Sequence, residues 1–228
     1  MKKLEEYIAE AYDTKSNMSV VQPKNKIELK KIIKDAFARK QYDLNFIDTS
    51  KIGDMSELFE YCEHDFDVSG WDVSNAKNIG YIFYKCKNFK AKGIENWNVS
   101  KVLDMSCAFT GCKNFNCDLS NWDVSNVTDM THMFSWCNNF EGKGLEHWNI
   151  SNVIKTSNMF HGCHNFNCDL SNWNVSNIYD TIKMFKECKN FEGKGLENWN
   201  LEKIVLYYDM FYGCDKITIP KWYKKYNL

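Results

Sequence analysis

The sequence predicts an α/β repeat solenoid with one short parallel strand and one short helix in each repeat of 25 or 26 residues. The prediction comes from a tryptophan that returns at a fixed interval, and from two kinds of apolar spacing within each interval. The intervals between the six tryptophans are 26, 25, 26, 25 and 26 residues. The series consists of Trp71, Trp97, Trp122, Trp148, Trp173 and Trp199.

The two kinds of spacing follow each other within a repeat. Leu119, Trp122 and Val124 are apolar, and polar residues separate them, with strict alternation over residues 121–125. This pattern predicts a short strand with one buried face. Over residues 127–137 apolar residues recur at every third or fourth position. This predicts a short helix capped by Ser125 or Asn126. The combination predicts a leucine-rich-repeat-like, right-handed coil, although a straighter β-solenoid also fits the strand spacing.

The pattern predicts three parts of the chain. Residues 1–42 carry no repeat and are predicted as an N-terminal helical cap, with a helix near Leu4 and a second one over 26–39, begun by Asn25. Residues 43–216 contain seven repeats of 24 to 26 residues. Residues 217–228 are predicted as a truncated eighth repeat and a C-terminal cap.

Composition and charge exclude several classes of protein. With 29 Lys and Arg against 30 Asp and Glu, the chain lacks the basic stripe of a nucleic-acid binder. It has no run of 18 apolar residues, so no membrane insertion is expected. No secretory signal is visible, and the chain contains ten cysteines. A cytoplasmic, reducing location is therefore expected.

Cysteines and tryptophans form columns in the aligned repeats. Seven of the ten cysteines lie three residues after a phenylalanine, which indicates reduced thiols packed in the core; disulfides are the alternative. The tryptophans fall on the inward side of the predicted strands, and a stacking platform for sugars or bases is the alternative. The predicted structural core is Trp71, Trp97, Trp122, Trp148, Trp173, Trp199, Cys86, Cys112, Cys137, Cys163 and Cys188.

No catalytic residue, metal site or cofactor is predicted. His132, His161 and His164 fall in neighbouring repeats near cysteines, but the sequence contains no CxxC pair and no HExxH motif. A nucleophile elbow and a phosphate-binding loop are also missing. A regular repeat array offers few clefts with converging titratable groups, so the protein is predicted not to be an enzyme.

The outward positions of the predicted strands are the candidate partner-binding residues. Repeat arrays bind through extended faces of this kind, here one of short amides, carboxylates and hydroxyls. The alternative is a solvated face with side-chain amide ladders, because the Tyr, Trp and Arg typical of hot spots are absent. The candidates are Asn121, Asp123, Ser125, His147, Asn149, Asn172, Asn174, Asp72 and Asn98.

The repeat also resembles a known family. The phrase Trp-Asp-Val-Ser-Asn-Val-Thr-Asp-Met, followed by Met-Phe, Cys and Phe over residues 122–140, resembles the 26-residue bacterial surface-protein repeat. That repeat belongs to the Bacteroides-surface-protein type of leucine-rich repeats and is abundant in mycoplasmas as a domain of unknown function. The resemblance covers residues 47 to about 219. It implies a leucine-rich-repeat-like solenoid with a binding role, often at a cell surface, and no catalytic residues.

The leading hypothesis is therefore a non-enzymatic interaction module that binds a protein partner through its Asn/Asp/Ser strand face. The alternatives are a structural or self-assembling surface protein and a glycan-binding adhesin. The resemblance makes the cell surface, or secretion, the alternative to the cytoplasm. The chain is expected to be a monomer or to associate weakly with itself.

Overall fold

A computed structural model describes residues 20–200 and 202–226. Within them, helix α1 spans Lys26–Ala38 and helix α2 spans Lys221–Tyr226. Short 3-10 helices span Ile94–Asn96, Leu145–His147 and Leu196–Asn198. The rest of the described chain is turns and irregular backbone. The helix predicted near Leu4 lies outside the described residues.

The predicted α/β repeat solenoid is wrong. Successive repeats of the described chain meet through eight isolated parallel bridges, and these do not extend into strands or a sheet. The helix predicted over 127–137 is also absent. The leucine-rich-repeat assignment therefore has no support in the structure.

Main-chain hydrogen bonds between repeats explain why no helix forms there. Every second N–H group of residues 130–136 donates to a carbonyl of the next repeat, with N–O distances of 2.7 to 3.0 Å. These groups are therefore not available for the i→i−4 bonds of a helix. The side chain of Asp129 accepts a bond from the N–H of Thr131 at 2.9 Å, which forms an Asx turn instead of a helix cap.

The intervening N–H groups close turns within the repeat. Met133, Ser135 and Cys137 each donate to the carbonyl three residues earlier. His132 and Trp136 have φ values of 57° and 62°, and a positive φ at the third residue is the mark of a type II turn. We call the equivalent stretches the turn segments: residues 53–61, 77–85, 103–111, 128–136, 154–162, 179–187 and 205–213.

The core is a set of side-chain columns that run from repeat to repeat. Phenylalanines from Phe59 to Phe211 stack with ring centroids 5.5 to 5.8 Å apart. The six tryptophans of the series are 2 to 5% exposed, and the indole N–H of Trp122 donates to the carbonyl of Ile94 at 2.8 Å. The Cys137 thiol lies 3.0 Å from the carbonyl oxygen of Phe109 and donates to it. The five cysteines predicted as core are fully buried.

Helices cover both ends of this core. Asn25 caps α1 by accepting a bond from the N–H of Glu28 at 3.0 Å, and α1 buries Leu29, Ile32, Ile33 and Ala36. At the other end, Trp222 of α2 continues the tryptophan column. Its ring is 6.5 Å from that of Trp199, and its indole N–H donates to the carbonyl of Leu196. The apolar columns are thus shielded where the repeats stop.

Acid is expected to destabilise the fold. The pKa of Asp169 is lowered to about 2 by a hydrogen bond from Lys194, helped by Ser171. Hydrogen bonds from Ser125 lower the pKa of Asp123. A carboxylate whose pKa is lower in the folded state than in the unfolded state stabilises the fold at any pH above its unfolded-state pKa. This stability is lost as the pH falls through the folded-state pKa. The melting temperature should hold between about pH 7 and 5 and fall between about pH 4 and 2.

Thermal unfolding followed by circular dichroism checks this expectation. The Asp169→Asn variant removes one of the contributing carboxylates, so its melting temperature should depend less on pH over the same range. A melting temperature that stays constant down to about pH 2 would contradict the expectation.

Candidate functional site

The structure places the nine predicted partner-binding residues at the surface, but most belong to the framework of the fold. Ser125 is half-buried and the other eight are exposed. The Oδ1 atoms of Asp123 and Asn149 each accept a bond from the main chain two residues later, at 3.0 and 3.1 Å. Asp72, Asn98 and Asn174 form the same Asx turn. These short polar side chains recur because each one shapes a turn.

Amide side chains also link this surface from one repeat to the next. The side-chain N–H groups of Asn126 and Asn152 donate to the carbonyls of Ser100 and Ser125 at 2.8 and 2.7 Å. Asn172 donates to the carbonyl of Glu146 at 3.3 Å. The near-constancy of this Asn/Asp/Ser face along the chain therefore has a structural explanation.

Large exposed apolar side chains concentrate on a different surface. Among the described residues eleven such side chains are exposed, and nine of them lie on the turn segments. Val20 and Ile27 are the other two. We call the exposed side of the turn segments the turn face. Its nine exposed apolar residues are Tyr61, Tyr81, Leu103, Trp136, Ile154, Val205, Leu206, Tyr208 and Tyr212.

The turn face varies from one repeat to the next, unlike the rest of the repeat. From Trp71 to Trp199 the buried Trp and Phe columns keep the same residue types, and the residue after each of these tryptophans is always Asp or Asn. In contrast, the first residues of the seven turn segments are Gly53, Lys77, Leu103, Thr128, Ile154, Tyr179 and Val205. Stacking does not fix the residue type at these positions, so their side chains are free to meet a partner.

Glycines at the end of alternate turn segments support longer side chains of the preceding repeat. Gly111, Gly162 and Gly213 have φ values of 74° to 75°. A Cβ atom added to Gly162 would lie 2.6 Å from Cε3 of Trp136 and 2.8 Å from its Cδ2. The indole thus lies flat against the glycine. Lys85 and Glu187 occupy the equivalent positions on Gly111 and Gly213.

The surroundings of Trp136 contain partly buried histidines. The ring of His161 is 4.9 Å from that of Trp136, and burial lowers the pKa of His161 and of His132. Nε2 of His161 is buried without a hydrogen-bond partner, 4.0 Å from Oε1 of Glu187. Both imidazoles are therefore uncharged at neutral pH.

The residues described by the structure hold no cluster of three or more His, Cys, Asp or Glu side chains suited to a metal ion. His164 lies apart from the other two histidines and contacts Asn138 at 3.0 Å. Burial raises the pKa of the Cys137 thiol well above its ordinary value. Such a thiol is a poor metal ligand and a poor nucleophile, because the thiolate is the reactive form.

The sequence prediction missed the turn face because it assigned these residues to a helix. A usable signal was present, however. Aligning the seven repeats shows which columns vary, and the turn segments contain the most variable ones. The glycines at 111, 162 and 213, spaced by 51 residues, were a second sign of a special surface.

The stacked turns, the repeated core columns and the variable turn face together define a tandem-repeat protein. A family model described as "Mycoplasma protein of unknown function, DUF285" matches residues 27–143 and again residues 136–226. The chain therefore belongs to this family, which confirms the resemblance to the mycoplasma repeat. No curated protein and no solved structure matches the chain. Among the described residues no helix is long and apolar enough to cross a membrane.

Proposed function

We propose that the protein is a non-enzymatic interaction module that binds a protein partner through its turn face. The observation that carries the proposal is the concentration of exposed large apolar side chains, nine of eleven, on the turn segments. Trp and Tyr are the residues enriched in binding hot spots, and five of the nine are of these two types. The framework around them holds these side chains in a fixed order along the chain.

The proposal moves the binding surface away from the Asn/Asp/Ser face. There the side chains of Asp123 and Asn149 form main-chain turns, so replacing them tests folding as much as binding. Asn121 and His147 are better probes of that face, because both are exposed and neither side chain belongs to an Asx turn. They serve as matched controls for Trp136.

The experiment selects binding peptides from a random display library with the full chain, and measures the affinity of each for variants. The Trp136→Ala variant is expected to bind the selected peptides with an affinity lower by about thirtyfold, since truncating a hot-spot residue costs about 2 kcal/mol or more of binding free energy. The double variant Asn121→Ala, His147→Ala should bind them within about twofold of the unchanged chain. Circular dichroism confirms that each variant is folded.

The opposite pattern would contradict the proposal. If the selected peptides keep their affinity for Trp136→Ala and lose it for the Asn121 and His147 variant, the Asn/Asp/Ser face is the binding surface. A library that yields no peptide above the background of an unrelated protein would also count against an interaction module.

A further inference from the structure

At both ends of the turn face, lysine ammonium groups of the same chain lie beside the rings of exposed tyrosines. Nζ of Lys85 lies 5.2 Å from the ring centroid of Tyr61 and 5.0 Å from that of Tyr84. Nζ of Lys183 lies 5.6 Å from the ring centroid of Tyr208, and Nζ of Lys186 lies 5.0 Å from that of Tyr212. A cation within about 6 Å of a ring face is attracted by the ring quadrupole. Three of the five exposed aromatic rings of the turn face, those of Tyr61, Tyr208 and Tyr212, therefore have a lysine beside them.

Trp136, in the middle of the face, differs from these three tyrosines. Among the described residues no lysine or arginine lies over its ring, although indole attracts cations more strongly than phenol does. One side of the indole rests on Gly162 and the His161 ring packs against it at 4.9 Å, and the residue is 41% exposed. Tyr81, the other exposed ring without a cation, packs against Tyr84 at 5.4 Å and bonds to Cys107.

The histidine that packs on Trp136 also contacts a carboxylate. The His161 ring is 4.9 Å from that of Trp136, and its Nε2 is 4.0 Å from Oε1 of Glu187. Because the pKa of His161 is lowered by burial, the imidazole does not neutralise Glu187 at neutral pH. The cations nearby, Lys183 and Lys186, lie over Tyr208 and Tyr212. An added cation over the indole would thus gain the attraction of Glu187.

We propose that Trp136 binds a lysine or arginine side chain of the protein partner, with Glu187 as its counter-ion. The inference rests on the proposed function and names the chemical group that the turn face recognises. Arginine is the better fit, because its planar guanidinium stacks on an aromatic ring and presents N–H groups to a carboxylate.

A titration with model peptides tests this directly. The full chain, labelled with 15N, is titrated with N-acetyl-Gly-Arg-Gly-amide and with the matched citrulline peptide, which has the same shape and no charge. The arginine peptide should shift the indole Nε1–H signal of Trp136 with a saturable dependence. The citrulline peptide should bind at least about threefold more weakly, and added salt should reduce the difference.

Variants separate the roles of the ring and the carboxylate. Trp136→Leu should abolish the peptide-induced shifts of the main-chain amide signals around residue 136, and Trp136→Phe should keep weaker ones. The loss of one indole signal in both variants also assigns that signal to Trp136. Glu187→Gln should lower the affinity for the arginine peptide by about two- to fivefold. Glu192→Gln, an exposed glutamate outside the turn segments, is the control and should leave binding unchanged.

The inference is overturned if the citrulline peptide binds as well as the arginine peptide, or if the Trp136 signal does not respond. Its failure is distinct from that of the proposed function. Library peptides that depend on Trp136 but not on a lysine or arginine would mean that the ring takes an apolar or other group, and would leave the interaction role standing. Library peptides that keep their affinity for Trp136→Ala and lose it for the Asn121 and His147 variant would remove the proposed function itself.

Discussion

Replacing Gly144 by alanine is expected to lower the free energy of unfolding by about 3 kcal/mol or more. The φ of Gly144 is 89°, a region that residues with a Cβ rarely adopt. The added Cβ would lie 2.2 Å from the backbone nitrogen of Ser120 and 2.7 Å from the carbonyl carbon of Leu119. Backbone cannot rotate aside as a side chain does, so the two repeats must separate. Urea unfolding followed by circular dichroism measures the loss.

Two further glycines provide the comparison. Gly195 has a φ of 90° and the same close approach, 2.2 Å, to the nitrogen of Ser171, so Gly195→Ala should be similarly destabilising. Gly53 does not have a positive φ, and the nearest atom to an added Cβ is 3.6 Å away. Gly53→Ala should change stability by less than about 0.5 kcal/mol. If Gly144→Ala and Gly53→Ala lowered the free energy of unfolding equally, the close approach of two repeats at Gly144 would not explain the loss.

Truncating Phe134 to alanine is expected to cost about 3 to 5 kcal/mol. Its ring is fully buried and stacks on Phe109 and Phe160 at 5.6 and 5.8 Å. It also packs on Phe140 at 4.3 Å. Because each repeat is stabilised mainly by its neighbours, a cavity in the central repeat should also loosen the repeats on both sides. Urea unfolding gives the total loss, and hydrogen exchange shows where protection falls.

Leu103→Ala is the control for this truncation. Leu103 is 47% exposed on the turn face, so its removal should cost less than about 1 kcal/mol and leave exchange in the neighbouring repeats unchanged. If Phe134→Ala were no more destabilising than Leu103→Ala, the phenylalanine column would not be what holds the repeats together.

The sequence was a good guide to which side chains are buried and a poor guide to the elements that bury them. The spacing of Trp122 and Cys137 predicts that both side chains are buried, and in the structure both are. The three- and four-residue spacing predicts a helix, but consecutive turns with positive φ at His132 and Trp136 produce the same spacing. Histidine and tryptophan do not signal a positive φ as glycine does. The inter-repeat hydrogen bonds that stabilise this backbone are not visible in a local pattern.

The sequence and the structure point to different candidate surfaces for a related reason. The alternating pattern predicts a strand over residues 119–125, and in a strand Asn121 and Asp123 are outward side chains. The structure uses Asp123 to close a turn, a local bond that competes with regular secondary structure. Trp136 was hidden in the predicted helix, and its exposure depends on Gly162 in the following repeat. Only the stacking of two repeats brings these residues together.

The cysteine column has a consequence for the chemical reactivity of the chain. The thiols of Cys112, Cys137 and Cys188 donate to carbonyls of the preceding repeat, and burial raises the pKa of each well above its ordinary value. Alkylating reagents and peroxide react with the thiolate, so they modify these sulfurs only when a repeat opens. The chain thus carries its own set of local probes, and the order in which its fully buried cysteines become modified would report where the repeats first separate.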